Sequence, residues 1–123
     1  MSFSTAVDQA FLDHFLATYT TLWAGYSTTT PTKAGANVTE PAGGYARIQV
    51  NANLTRTGSE VDNDAAIEFP EASGDQGTVT HAVLYTTETG GTMLWFGELA
   101  ASKSITAGST PTFTAGDFNI TQV

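Results

Sequence analysis

The sequence has no cysteine, and only four of its 123 residues are lysine or arginine. Without cysteine there is no disulfide framework and no thiolate zinc site. Twelve acids against four cations give a formal net charge of −8. So few cations exclude the dense positive patch that nucleic acid or an anionic membrane surface requires. Long apolar runs are lacking too. None approaches the ~18 consecutive residues of a bilayer-spanning helix, and the first residues lack the cationic start and apolar run of a signal peptide. Charged residues make up only 13% of the chain, about half the usual share.

Threonine fills part of that gap, at 22 residues. Its branched Cβ favours strands, and its hydroxyl keeps exposed strand faces wet without adding charge. A chain of 12.9 kDa folds to an accessible surface of about 6,300 Å², enough burial for one domain and one core.

Residues 4–17 form the one predicted helix. Val7, Phe11 and Phe15 recur every four residues, with Leu12 and Leu16 beside them and Asp8, Gln9 and Asp13 on the other side. Ser4 or Thr5 can cap its first N–H groups, and Asp8 suits the positive end of its dipole. A helix this short is marginal alone, so its Phe/Leu stripe must dock on its own sheet or on a neighbouring subunit. Residues 22–27, with Trp23 and Tyr26, read as a strand, and 28–44 as a long connection with Pro31 and Pro41. Residues 45–54 alternate as a half-buried strand, with Tyr45, Arg47, Gln49, Asn51 and Asn53 on its wet face. Then come an acidic loop at 55–64 and further strands at 65–69, 78–85, 93–99, 103–106, 112–114 and 118–123. A Gly90-Gly91 turn joins the pair 78–85 and 93–99. The expected fold is mainly β: an antiparallel, jelly-roll-like β-sandwich with one N-terminal α-helix. Residues 1–21 are the helix and lead-in, and 22–123 a single sandwich domain.

The chemistry-bearing residues are sparse. His14 and His81 are the only histidines, with no HxH, HxxxH or HExxH spacing and no GxSxG elbow. Glu60, Asp62, Asp64, Glu68, Glu71 and Asp75 offer oxygen ligands of the kind Ca²⁺ or Mg²⁺ takes, but not at the twelve-residue loop spacing, so they read as a solvated acidic surface. No catalytic residue, metal or cofactor is assigned. Trp23, Tyr26, Tyr45, Trp95 and Phe96 suit core or subunit packing, with a sugar-binding platform as the alternative.

The order of landmarks from residue 43 onward resembles that of small tailed-phage virion proteins, often loosely labelled tail fibre proteins. Gly43-Gly44-Tyr45-Ala46-Arg47 resembles their GGYAR signature, and Ala66-Ile67-Glu68-Phe69-Pro70-Glu71-Ala72 their I-x-FP-x-A segment. Gly77-Thr78-Val79-Thr80-His81 matches WGTVTH, with Gln76 in place of the tryptophan. Residues 89–99 resemble TGGxLLFxGxL, and 115–121 the terminal AGxLxIT. The N-terminal helix also suits this family's start.

The resemblance implies a non-enzymatic virion structural protein. Capsid decoration is the first expectation: a cement protein on the outside of the shell, bound to the major capsid protein. A tail fibre, tip or adaptor module docked on tail proteins is the second. A homo-oligomer, a trimer first among them, is expected, with no nucleic-acid or membrane partner. The candidate interface residues are Phe11, Phe15 and Leu16 on the helix, with Trp23, Tyr26 and Tyr45; the 28–44 connection is a further candidate surface.

Overall fold

The computed structural model describes residues 3–121. Its helix α1 (Thr5–Thr18) starts where the capping residues stand: Ser4 is extended and its hydroxyl accepts the Val7 N–H, with Asp8 in the first turn. Leu12 is the helix's buried anchor, and Phe15 and Leu16 pack against the core beside it. Asp13 pairs with Arg56 and ties the helix to the sandwich.

Nine strands follow among the described residues: β1 (Trp23–Ser27), β2 (Ile48–Gln49), β3 (Leu54–Thr57), β4 (Glu60–Asn63), β5 (Ile67–Glu68), β6 (Gly77–Tyr85), β7 (Met93–Ile105), β8 (Thr112–Phe113) and β9 (Asn119–Thr121). All pairings are antiparallel, in sheets ordered β2-β1-β6-β7, β3-β4-β9 and β5-β8. They pack as a small β-sandwich with an accessible surface of 6522 Å², close to that expected of one compact chain. A spine of aromatic rings fills the interior. Tyr26, Phe69, Phe113 and Phe118 meet edge to face at centroid distances of 4.9 to 5.9 Å, and Trp95 tilts onto Phe118.

β6 sits inside the largest sheet and is buried on both faces from His81 to Tyr85, which is why it reads as a continuous apolar run rather than an alternation. Ala24, Tyr26, Ala82 and Leu84 face the core. Gly25, Val83 and Tyr85 share the opposite face, where the 28–47 connection covers them. Asn63 is the main buried polar group. Its amide donates to the Ala65 and Thr114 carbonyls and accepts from the Gly116 and Phe118 N–H groups, so all four of its hydrogen-bonding positions are used.

Three expectations fail between residues 45 and 64. The long strand at 45–54 shrinks to β2 followed by a 3₁₀ turn at Asn51–Asn53. Asn51 turns its side chain to the distant segment between α1 and β1, accepting the Leu22 N–H and donating to the Tyr19 carbonyl. Arg47, expected on a wet face, is buried. The acidic stretch at 55–64 is a hairpin rather than a loop: Thr57 pairs with Glu60 across the two-residue turn Gly58-Ser59. The predicted strands at 93–99 and 103–106 are one element, β7, with a register shift opposite Val79 and His81. The strand expected at 118–123 begins at Asn119, and its last two residues lie outside the described residues.

Candidate functional site

Two surfaces gather the residues that the sequence singles out. The first is the 28–47 connection, which is an ordered strap. Its own hydrogen bonds fold it: Thr28 N–H to the Thr39 carbonyl, Thr29 hydroxyl to the Asn37 carbonyl, and the Asn37 amide to the Thr30 carbonyl. The Gly43-Gly44 pair then turns the chain at φ +81° and +86°. A side chain at Gly43 would lie 2.8 Å from the Gly74 carbonyl oxygen, so glycine is needed here for conformation and for space alike.

The turn delivers Tyr45 and Arg47 to Glu40. Arg47 Nε and an Nη donate to the two Glu40 carboxylate oxygens at 2.8 and 2.6 Å, and the other Nη donates to the Thr87 and Gly90 carbonyls at 2.9 and 2.8 Å. The guanidinium carbon lies 3.6 Å from the centre of the Tyr85 ring. The Tyr45 hydroxyl donates to Glu40 and accepts the Tyr26 N–H at 3.3 Å. β2 pairs with β1 only at Trp23 and Ala24, so this hydroxyl serves Tyr26 where β2 no longer reaches. The GGYAR run is thus one device that ties the strap, strand β1 and the 86–92 turn together.

Charge within the device is mutually compensated. Burial alone would raise the Glu40 carboxyl, but Arg47 and the Tyr45 hydroxyl outweigh it and hold the group below its ordinary value. Burial likewise opposes the charge on Arg47, and Glu40 more than restores it. Burial, then the hydrogen bond and charge of Glu40, push the Tyr45 phenol well up; burial and the Glu40 charge also raise Tyr85. A cavity of about 310 Å³ opens beside the cluster, bordered by Glu40, Tyr45, Arg47 and Glu88. Both Glu40 oxygens and four Arg47 N–H bonds are already engaged. The cluster therefore fixes backbone; it holds no poised base or nucleophile.

The second surface is a face of α1. Val7, Phe11 and Phe15 recur every four residues along α1, and Phe3 just before it and Tyr19 at its C-terminal cap continue the spacing. Phe3, Val7, Phe11 and Tyr19 are 56, 38, 45 and 37% exposed. Their rings support one another edge to face or tilted, Phe3 on Phe11 at 5.2 Å and Phe15 on Tyr19 at 5.4 Å.

Against these surfaces, the six candidate interface residues separate. Phe11 stands on the exposed row, while Phe15 and Leu16 are half-buried against the core. Tyr26 is fully buried, its hydroxyl donating to Gln76, so it is a core residue and is not available to a partner or a sugar. Burial outweighs that hydrogen bond and pushes its phenol up to about 12. Tyr45 is half-buried within the strap cluster, 4.7 Å from the Tyr26 ring, and Trp23 is half-buried on β1 opposite Tyr85. Gln76, in place of the tryptophan of the resembled motif, joins Tyr26 to the Gly43 carbonyl. Sequence reasoning missed Phe3 and Tyr19 as continuations of the four-residue repeat. It also missed Glu40 and Arg47; the scarcity of cations was the available signal, since a lone arginine beside tyrosines is well suited to burial.

The remaining titratable groups lie apart. His14 is exposed near Thr18, and His81 is buried in β6 with its Nδ1 against the Thr80 hydroxyl. The acids of 60–75 serve local contacts: Asp64 accepts from Thr55, Glu60 from Asn119 and Asp75 from the Ala107 N–H. Among the described residues no three His, Asp or Glu side chains gather around a common point, and no helix is long and apolar enough to cross a membrane.

No curated protein matches the chain. A family model described as "Podophage GP4 fiber I protein gp80" matches residues 2–121, a span that includes helix, strap and every strand. The chain therefore belongs to the podophage GP4 fiber I protein gp80 family and is a structural component of a phage virion.

Proposed function

We propose that this protein is a non-catalytic building unit of a virion fibre, held to its neighbours through the exposed row on α1. The row carries the reading: a soluble single chain has no use for four large apolar side chains in line along one helix and its ends unless something covers them. The compensated strap cluster supports the absence of catalysis, since its charges are spent on one another. The family description favours a fibre over the capsid cement role, and tail proteins in place of the major capsid protein are the partners that go with that reading. Assembly of copies into a small closed homo-oligomer, a trimer first among them, is part of the proposal.

Gold labelling of an epitope-tagged chain on purified virions, with its copies counted by quantitative mass spectrometry, tests the location. Label confined to the fibres at a few copies per fibre is expected. Label spread over the shell at capsomer stoichiometry returns the protein to capsid decoration.

A further inference from the structure

We infer that the Phe3–Val7–Phe11 row of α1 seats in an apolar groove whose rim carries lysine or arginine, on a different virion protein and not on a second copy of this chain. The inference rests on the row being a docking surface in the virion and names what covers it.

Area argues against a second copy. Taking about 200 Å² per aromatic side chain, the exposed parts of the row amount to roughly 300 Å². A stable pair needs about 800 Å² from each partner. Two convex rows crossing each other touch only near the crossing point. A concave groove reaches the row and both of its flanks, as in helix-in-groove recognition by residues at i, i+4 and i+8. The ring pairs Phe3–Phe11 and Phe15–Tyr19 already hold the row in shape, so little side-chain freedom is lost on docking.

Charge argues the same way. Residues 3–20 contain no lysine or arginine; of their two carboxylates Asp13 is held by Arg56, and Asp8 has no cationic partner among the described residues. A second copy has little to offer Asp8. Its Arg47 is buried against Glu40, its Arg56 already holds Asp13, and its Lys103 lies 3.9 Å from Asp117. Lys33, in the exposed part of the strap, is the one cation without an acidic partner among the described residues. Copy against copy therefore sets Asp8 against a chain of net charge −8 with a single cation unpaired among the described residues, whereas a basic rim complements it.

The test places the photo-cross-linker p-benzoylphenylalanine at position 11, irradiates purified virions and sequences the cross-linked peptides. The expected product joins the chain to another virion protein, in a segment where apolar residues are flanked by lysine or arginine. A product joining two copies of this chain overturns the inference, as does a partner segment rimmed by acids, or no product in virions that contain the chain. In parallel, Phe11→Asp should cut incorporation at least tenfold while the purified variant keeps its melting temperature within a few degrees. Wild-type incorporation of that variant would also overturn it. A cross-link into a basic groove of the major capsid protein supports this inference and removes the fibre reading, so the two fail separately.

Discussion

Replacing Glu40 with glutamine should unfasten the strap. Arg47 would stay buried, its side chain 5% exposed, but would face a neutral amide that can accept only part of what the carboxylate accepted. Breaking a buried pair from one side costs about 3–5 kcal/mol. Glu40 retains 24% exposure, which places the cost near the lower end, at about 3 kcal/mol. With an unfolding entropy of roughly 2.1 cal/mol/K per residue, the melting temperature should fall by about 12 °C at pH 7. The pH dependence has a definite sign. Because the folded-state pKa of Glu40 lies below its ordinary 4.5, its contribution is present above pH 4.5 and is lost as pH falls through the folded value. Thermal unfolding followed by circular dichroism at pH 7 and at successively lower pH should therefore show the wild type and Glu40→Gln converging in acid. A gap under about 3 °C at pH 7, or one that persists undiminished on acidification, would refute the argument.

Gly25→Ala should cost about 1–3 kcal/mol through overpacking, because its Cβ would lie 2.1 Å from the Tyr45 hydroxyl oxygen; the penalty should shrink in a Tyr45→Phe background, and an unchanged penalty there counts against the assignment. Asn63→Ala should cost about 2–3 kcal/mol by leaving the Ala65 carbonyl and the Phe118 N–H unpaired, since the Gly116 N–H also reaches the Asn63 carbonyl and the Thr114 carbonyl also accepts the Asp117 N–H. Asn63→Asp, which turns a buried carboxylate oxygen onto two carbonyls, should cost at least as much at pH 7; denaturant unfolding reads both. Tyr26, Tyr45 and Tyr85 all have raised pKa values, so the phenolate absorbance of Tyr26 and Tyr45 should be largely missing at pH 10–11 in the folded protein, and Tyr85 should ionise above its ordinary 10. Stability should decline as pH rises beyond their ordinary 10 toward the folded values. Three tyrosines titrating near pH 10 with the fold intact would contradict the burial assigned to them.

Much of the fold could be read from local chemistry. Ser4 and Asp8 mark the helix start, the apolar run of β6 marks a strand buried on both faces, and the Gly/Pro turns separate the short strands. What was lost was lost for identifiable reasons. Neighbouring residues on a helix stand about 100° apart, so Phe11 and Leu12 cannot both point into the core, although Phe15 reaches it beside Leu12 and Leu16. Spacing alone does not choose between them; the fold buries Leu12 and leaves Phe11 outside. Alternation placed Arg47 on a wet face because pattern reading treats every charge as exposed. Only the tertiary approach of Glu40 and Tyr85 makes its burial favourable. The β3–β4 hairpin was masked by its acids, although Gly58-Ser59 is an ordinary hairpin pair. The motifs from residue 43 onward pointed to a virion protein, but a sandwich is compatible with many roles. The choice between shell and fibre lies in which surface is covered, not in how the strands are ordered.

Reconstruction of intact virions by cryo-electron microscopy, at a resolution that shows helices, tests that choice most directly. The account predicts this sandwich within a fibre, with α1 turned into a neighbouring protein and Phe3, Val7 and Phe11 out of contact with water. A sandwich repeated over the capsid shell with α1 facing solvent would contradict it.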